Sequence, residues 1–171
     1  MNRSGVRIRR LSPDEWAAYR EIRLAALAES PDAFGSSLER SRQYTEEIWR
    51  DRLTTAVTFA AEREADRRLL GIASGLPTAI AGTAALIGMW VAPEARRQGI
   101  GEALVQRVIA WALEAGVSRL ELEVTVGNDR AERLYARCEF ARAEQATWHS
   151  PEDGHRTITM ARAVGKPFNP R

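Results

Sequence analysis

Hydrophobic positions follow a helical period in the first third of the chain, after one short strand-like run at Val6–Leu11. The segment Ser12-Pro13-Asp14-Glu15 is typical of a helix start, because serine can cap the helix and proline fits its first turn. The stripe that follows repeats every three or four residues and comprises Tyr19, Ile22, Arg23, Ala26 and Leu27. A second helix is predicted from about Thr45 to Thr54, with inward positions Ile48, Trp49 and Leu53.

The rest of the chain alternates between strand-like and helical spacing. Strands are predicted at Val57–Glu62, Leu69–Leu76 and Thr83–Val91, and a turn at Arg63–Arg68 joins the first two as a hairpin. A helix then runs from Gly99 to the capping glycine Gly116, and its inward positions are Ile100, Leu104, Val108, Trp111 and Ala115. The remaining predicted elements are a strand at Arg119–Val126, a helix at Asp129–Cys138, and strands at about Phe140–His149 and Arg156–Ala163 around a turn at Pro151–Gly154.

This order, β-α-α-β-β-β-α-β-α-β-β, predicts an α/β fold with a mixed, mostly antiparallel sheet. Hairpins connect the strands of the first half, whereas crossover helices connect those of the second half. The chain carries no internal repeat, low-complexity tract or linker, which predicts one domain over residues 1–171 with its core at about 6–163. The last residues, 164–171, are expected to form a loose tail.

Composition narrows the class of protein further. Of the 171 residues, 44% are hydrophobic and 28% are charged, which is ordinary for a soluble folded protein. No apolar run reaches the roughly 18–20 residues that span a membrane. The segment Met1–Arg10 carries four arginines but no apolar stretch after them, so it does not resemble a signal peptide and a cytoplasmic location is expected.

The pattern of residues argues against a nucleic-acid partner and against a bound metal ion. The net charge is only +2 and the arginines are interleaved with glutamates, which argues against nucleic acid as a partner. The single cysteine, Cys138, and the two histidines show no metal-ligand spacing, so no metal is expected.

The segment Val91–Leu104 contains the most informative loop, which lies between a strand end and a helix start. Such a loop directs several backbone N–H groups to one point, and the helix dipole adds positive potential there. Gly99 and Gly101 let an anion approach the main chain, and Arg96 adds charge nearby. A diphosphate suits this chemistry. The third glycine of a dinucleotide-binding loop is missing at Leu104, and the lysine of a nucleoside-triphosphate loop is absent as well.

Two motifs together resemble those of the GCN5-related N-acetyltransferase (GNAT) family. The run Arg96-Arg97-Gln98-Gly99-Ile100-Gly101 is similar to the family's Gln/Arg-x-x-Gly-x-Gly/Ala signature. The run Asn128…Ala131…Leu134-Tyr135…Phe140 is similar to its second motif, Asn-x-x-Ala-x-x-Leu-Tyr-x-x-x-Gly-Phe. Glu139 departs from the pattern, because the family usually has a glycine with positive φ there. The resemblance implies a GNAT-like sheet whose fourth and fifth strands are parallel, flanked by four helices.

The resemblance also implies a cofactor site and an acid. Acetyl-CoA would lie with its pyrophosphate on the backbone of Arg96–Glu102 and its pantetheine arm along the edge of the strand at Met89–Val91. The implied cofactor-binding residues are Met89, Trp90, Val91, Arg96, Arg97, Gln98, Gly99, Ile100, Gly101, Glu102, Asn128 and Tyr135. A backbone N–H near Val91 would polarise the thioester carbonyl. Tyr135 is the implied acid, hydrogen-bonded to the departing thiolate.

The acceptor side of the site is expected along the strand Arg119–Val126. Leu120, Leu122, Val124 and Val126 share one face of that strand, whereas Glu121 and Glu123 share the other. Two glutamates on one face of a central strand indicate a solvent-filled cleft. Glu123 also matches the glutamate of a Leu-Glu-Val strand that is assigned as general base in bacterial ribosomal-protein alanine acetyltransferases. Candidate substrate contacts, on position alone, are Arg23, Phe34, Glu121 and Trp148.

The predicted function is an N-acetyltransferase that moves an acetyl group from acetyl-CoA to a primary amine by direct attack. A small molecule is favoured as acceptor, because the segment around Arg23 to Gly35 is more similar to small-molecule members of the family. A peptide or protein N-terminus and a non-catalytic acyl-CoA-binding module stay open as alternatives. The resemblance is also compatible with a homodimer.

Overall fold

A computed structural model describes residues 5–34, 36–143, 148–149 and 156–165. The strands are β1 (Val6–Arg10), β2 (Val57–Arg63), β3 (Leu69–Pro77), β4 (Thr83–Val91), β5 (Arg119–Thr125), β6 (Ala141–Arg142), β7 (Trp148–His149) and β8 (Arg156–Ala163). The helices are α1 (Trp16–Glu29), α2 (Leu38–Arg42), α3 (Glu46–Thr55), α4 (Ile100–Glu114) and α5 (Asp129–Arg137). The predicted turn at Pro151–Gly154 and most of the predicted tail lie outside the described residues.

The helix predictions hold for most positions and fail at a few. The buried residues of α1 are the five of the predicted stripe. In α3, Trp49 and Leu53 are buried as predicted, but Ile48 is 40% exposed and was wrongly placed inward. Ala115 is exposed because α4 ends one residue earlier, and Ala112 is buried at that end of the helix instead. The short helix α2 was not predicted.

All described strands belong to one sheet, in the order β1-β2-β3-β4-β5-β8-β6, with β7 also paired to β8. Neighbouring strands are antiparallel except for β4 and β5, which are parallel as the family resemblance implies. Leu120, Leu122 and Val124 are buried on one face of β5, as the alternation predicts. Val126 is 46% exposed because it follows the last residue of the strand.

The two parallel strands pair over only a short length. Thr83, Ala84 and Ala85 of β4 lie beside Arg119, Leu120 and Glu121 of β5, and no further pair joins these strands in the described part of the chain. Toward their carboxyl ends, β4 and β5 therefore diverge. The gap between them opens toward the ends that carry Met89–Val91 on one side and Glu123 on the other.

A β-bulge in β4 lies beside this gap. Ile72 of β3 pairs with Trp90 and Ser74 pairs with Ile87, so one residue of β3 lies opposite Gly88 and Met89 together. An extra residue of this kind bends the strand and redirects the side chains that follow it. The bulge thus changes the direction of β4 at the point where it leaves β5.

Helices cover both faces of the sheet. Helix α4 contacts β2, β3 and β4, and its buried stripe contains Leu104, Val105 and Val108. Helices α1 and α3 contact each other, and the Trp49 ring packs edge-on against Tyr19 at 5.7 Å between ring centroids. Burial of these large apolar side chains on both faces stabilises the sheet. Helix α5 packs beside α4 and reaches the carboxyl end of β5.

Glu139 adopts the left-handed conformation that the family's glycine would adopt there, with φ of 66°. Its carboxylate lies 3.1 Å from Arg162, and the same guanidinium donates to the Cys138 carbonyl oxygen at 2.7 Å. The turn after α5 is thereby attached to β8. Glu139 thus has the positive φ expected of a glycine at this position, and Tyr135 lies within helix α5.

Glu139→Gly is expected to unfold at a higher temperature than Glu139→Ala. Both variants lose the exposed pair with Arg162, but only alanine keeps a Cβ in a left-handed conformation, which costs about 1 kcal/mol. For a domain of this size we expect the two midpoints to differ by roughly 2–4 °C, measured by circular dichroism. Equal midpoints would show that the positive φ at this position carries no strain.

Candidate active site

Two clefts meet at the divergence of β4 and β5. The first, which we call the loop cleft, has a volume of about 410 Å³ and lies between β4, the loop before α4 and helix α5. The second, which we call the strand cleft, has a volume of about 460 Å³ and lies between α1, β4 and β5. Both are lined by Ala33, Phe34, Met89 and Tyr135. A molecule in one cleft can therefore contact a molecule in the other.

The loop before α4 has two left-handed residues. Arg97 has φ of 64° and Gly99, at the N-cap of α4, has φ of 77°. Such turns, followed by a helix N-terminus, orient successive N–H groups toward one point and favour an anion there. A Cβ built on Gly99 would have no other atom within 4 Å, so the space in front of this N-terminus is open.

Position 101 requires a glycine because a side chain there would collide with its neighbours. A Cβ at this position would lie 2.9 Å from Met89 Cε and 3.2 Å from Leu134 Cδ2. The first turn of α4 therefore packs closely on the end of β4 and on α5. Gly99 and Gly101 were both predicted to admit an anion; in the structure the space in front of Gly99 is open, whereas Gly101 is closely packed.

Arg96 lines the loop cleft, but its guanidinium already has partners. It donates to the Val91 carbonyl oxygen at 2.9 Å and to the Glu29 carboxylate at 2.7 Å. Glu29 also accepts from the Trp90 indole N–H at 3.0 Å. The hydrogen bond from Arg96, more than those from Ser30 and Trp90, lowers the pKa of the Glu29 carboxyl to about 2. Arg96 thus attaches the end of β4 to the end of α1.

Helix α5 supplies basic residues that the sequence analysis missed. Arg130, Arg133 and Arg137 all line the loop cleft together with Arg97. Arg137 is 3.7 Å from Glu102 across the cleft wall. These three arginines are spaced by three and four residues, which places them on one face of a helix. That spacing could have predicted a basic helix face from the sequence. The loop cleft is therefore basic beyond its backbone N–H groups.

Asn128 and Ile100 also line this cleft, whereas Gln98 lies outside it. The Asn128 side-chain oxygen accepts from the Ala131 N–H at 3.2 Å and caps α5, so it supports the helix that carries Tyr135. Gln98 is exposed and donates to the Glu94 carbonyl oxygen at 3.2 Å. Ile100 is buried under the loop. All the residues predicted to bind the cofactor line the loop cleft except Gln98.

Tyr135 is buried and lines both clefts. Its ring packs edge-on against Phe140 at 6.1 Å between centroids. Burial raises the pKa of the Tyr135 phenol above its usual range. The phenol is therefore protonated throughout the neutral range, and it can donate a hydrogen bond to an atom at the junction of the clefts.

The acidic wall of the strand cleft is formed by Glu121 and Glu123 on β5. Each oxygen of Glu123 accepts one hydroxyl from β8, from Thr157 at 2.7 Å and from Thr159 at 2.6 Å. These two bonds fix the orientation of the carboxylate. Glu121 is instead bound to Arg119 at 2.5 Å. The face predicted to be polar is thus a cleft wall.

The opposite wall contains two of the predicted substrate contacts. Arg23 of α1 is buried, and its guanidinium lies 4.4 Å from the centroid of the Phe34 ring. For Trp148 the structure describes the backbone, in β7, and the predicted contact of its side chain lies outside the described residues.

Among the residues that the structure describes, no group of histidine, cysteine, aspartate and glutamate side chains is arranged to hold a metal ion. No helix in that part of the chain combines the length and the apolar character needed to cross a bilayer.

Comparison with known proteins identifies proteins that are similar to this chain. The model of the acetyltransferase (GNAT) family matches residues 16–140. A mycothiol acetyltransferase from Renibacterium salmoninarum is 29% identical over 152 residues, which are 86% of this chain but only 44% of that relative. The chain therefore spans less than half the length of that protein.

Solved structures show the same fold over nearly the whole chain. A GNAT-family acetyltransferase from Streptococcus pneumoniae has a TM-score of 0.78 and 20% identity, over 94% of this chain and 99% of that one. The yncA protein of Salmonella typhimurium, solved with its cofactor acetyl-CoA, has a TM-score of 0.75 and 20% identity, over 98% of this chain and 99% of that one.

Proposed function

Because the chain belongs to the acetyltransferase (GNAT) family, we propose that it transfers an acetyl group from acetyl-CoA to a primary amine by direct attack. The observation that carries this proposal is the junction, at Tyr135, of the basic loop cleft and the strand cleft, whose β5 wall is acidic. A charged acyl donor and a cationic acceptor can meet there without a covalent enzyme intermediate.

The loop cleft fits coenzyme A by its chemistry. The N-terminus of α4, the open space at Gly99 and the arginines of α5 suit a ligand with several phosphate charges. On the side that faces β5, β4 has no strand beside it beyond Ala85 in the described part of the chain, so its backbone groups there can pair with the amides of the pantetheine arm. This edge leads to Met89 and to the junction of the clefts.

In the proposed reaction, the acceptor enters the strand cleft as an ammonium ion and loses one proton to Glu123, directly or through water. The amine nitrogen then forms a bond to the thioester carbonyl carbon, and a backbone N–H near Val91 stabilises charge on the carbonyl oxygen. The carbon–sulfur bond breaks with its electron pair going to sulfur, to which Tyr135 donates a hydrogen bond, and the second proton of the nitrogen passes to the thiolate, directly or through water. The products are the acetylated amine, coenzyme A and one proton.

A small amine is the proposed acceptor, rather than a peptide N-terminus. The strand cleft has a volume of about 460 Å³, which suits a small molecule. The name of the relative from Renibacterium salmoninarum, a mycothiol acetyltransferase, supports the same class.

The proposal is tested with the purified chain, acetyl-CoA and a panel of small amines and peptides, by following thiol release. Acetyl-CoA binding is measured separately by calorimetry. We expect micromolar binding and turnover of at least one small amine. Binding without turnover of any amine or peptide would favour a sensor, and no binding by the folded chain would contradict the proposal.

Glu123→Gln is expected to lower kcat/KM about 100-fold, because an amide keeps the shape of the carboxylate but cannot accept the proton of the ammonium ion. Glu121→Gln is the matched control on the same face, and less than a tenfold change is expected there. Acetyl-CoA affinity, measured by calorimetry, should be unchanged in both variants. Full activity of Glu123→Gln would assign proton removal to another group or to water.

A further inference from the structure

The strand cleft contains a buried positive charge with no partner among the described residues. Arg23 is only 7% exposed. Its Nη1 atom is buried and has no hydrogen-bond partner in the part of the chain that the structure describes. Burial lowers the pKa of the Arg23 guanidinium, although arginine stays charged at neutral pH. Buried charges are costly in proteins unless they are paired, so an unpaired one needs an explanation.

The surroundings of Arg23 compensate only part of this cost. The face of the Phe34 ring lies 4.4 Å from the guanidinium carbon, which gives a cation–π contact. A second arginine, Arg52, lines the same wall, and its guanidinium packs 5.1 Å from the Tyr44 ring. Neither arginine has a carboxylate partner within the described ranges. This helical wall of the strand cleft therefore carries two arginines that form no ion pair within the described residues, although Asp32 also lines the cleft.

The charges of the cleft are separated between its two walls. Glu121 and Glu123 lie on the β5 wall, whereas Arg23 and Arg52 lie on the helical wall, which also carries Asp32. An acceptor with only an amine would neutralise the β5 wall and leave the guanidinium unpaired. An acceptor that also has a carboxylate would neutralise both walls, and a planar guanidinium binds a carboxylate through two hydrogen bonds.

We propose that the acceptor is a small amino acid-like molecule, whose carboxylate pairs with Arg23 while its amine lies at Glu123 beside Tyr135. This inference rests on the proposed acetyltransferase function and specifies its substrate class. Phe34, which lines both clefts, would contact the apolar part of the acceptor between its two charged ends. Arg23 acts as a binding residue that determines specificity and takes no part in proton transfer.

The test measures acetylation of matched acceptors by the full chain. The panel contains L-amino acids and unbranched ω-amino acids of two to six carbons, each beside its carboxamide and its decarboxylated amine. We expect the best free acid to exceed its carboxamide by at least about 100-fold in kcat/KM, because the carboxamide leaves a buried charge unpaired. In Arg23→Gln this preference should fall to near one, and Arg23→Lys should restore part of it.

Thermal unfolding separates a ligand-binding role from a structural one. If Arg23 has no carboxylate partner in the chain, Arg23→Gln loses the contact with the Phe34 ring and removes an unpaired buried charge, so the midpoint should change by no more than a few degrees. If a carboxylate elsewhere in the chain pairs with Arg23, the midpoint should fall by roughly 10 °C or more, and the inference would be wrong. The best free acid should also raise the midpoint of the wild type more than that of the variant.

The outcomes distinguish this inference from the proposed function. If acetyl-CoA binds and carboxamides or simple amines are acetylated as fast as free acids, the specificity inference fails and the acetyltransferase proposal stands. If acetyl-CoA binds and peptides alone are acetylated, the inference fails in favour of a peptide acceptor. If acetyl-CoA does not bind, the proposed function fails first.

Discussion

Gly99→Asp is expected to lower the affinity for acetyl-CoA at least about 100-fold. A Cβ at Gly99 points into open space, so the new carboxylate would stand in front of the α4 N-terminus without displacing any side chain. The new carboxylate occupies the anion site and repels the ligand's phosphates at close range, and both effects weaken binding. Every tenfold loss corresponds to about 1.4 kcal/mol. Calorimetric titration with acetyl-CoA measures the loss.

Gly99→Asn is the matched control for this change. Asparagine has the same shape as aspartate and tolerates the same left-handed φ, but it is neutral. We expect the asparagine variant to bind acetyl-CoA within about tenfold of the wild type, so that the difference between the two variants reports charge alone. If both variants bind like the wild type, the loop before α4 is an ordinary turn and the phosphates bind elsewhere.

Tyr135→Phe is expected to lower kcat by about 100- to 10,000-fold, which is the usual range for loss of a general acid. The ring and its packing on Phe140 are retained, because only the hydroxyl group is removed. Acetyl-CoA affinity should therefore stay within about threefold, since the loss affects the transition state and leaves the binding of the ground state intact. Steady-state kinetics and calorimetry together separate the two quantities.

The pH dependence of the wild type provides a second measurement on Tyr135. Burial raises the pKa of the phenol, so the protonated form is the active donor and persists to high pH. Activity should show no decrease from tyrosine ionisation below about pH 10, the ordinary pKa of the side chain. A phenylalanine variant with wild-type kcat would show that Tyr135 only packs in the helix.

The helices and strands that the sequence predicted well are those with a regular pattern of hydrophobic residues within one segment. The α1 stripe and the bounds of β4 were predicted correctly, because both follow from regular spacing within one segment. Ile48 was placed wrongly because periodicity does not tell which edge of an apolar stripe meets the sheet. In the structure α3 turns Trp49 toward Tyr19 and Tyr44, and Ile48 is left at the margin.

The parts of the candidate site that are formed by neighbouring residues could be predicted from the sequence. The parts that are assembled from distant residues could not. The loop at Gly99 was recognised because its glycines and helix start are adjacent. Arg96 was expected to add positive charge beside the anion, but no local pattern predicted that its guanidinium bonds to Glu29, 67 residues away. The orientation of Glu123 likewise depends on the register between β5 and β8, which no local pattern contains.

The short contact between β4 and β5 has a consequence for the energetics of the whole domain. Beyond three residue pairs, the sheet consists of two halves held apart by a gap in which the proposed cofactor would pair with the backbone of β4. A ligand in this position acts as part of the sheet, so its binding free energy adds to the free energy of unfolding by mass action. The amide groups of β4 that face the gap have no strand to pair with beyond Ala85, so their hydrogens should exchange with water faster than those bonded to β3 when the gap is empty. We therefore expect the resistance of this protein to unfolding to rise with the concentration of acetyl-CoA around it.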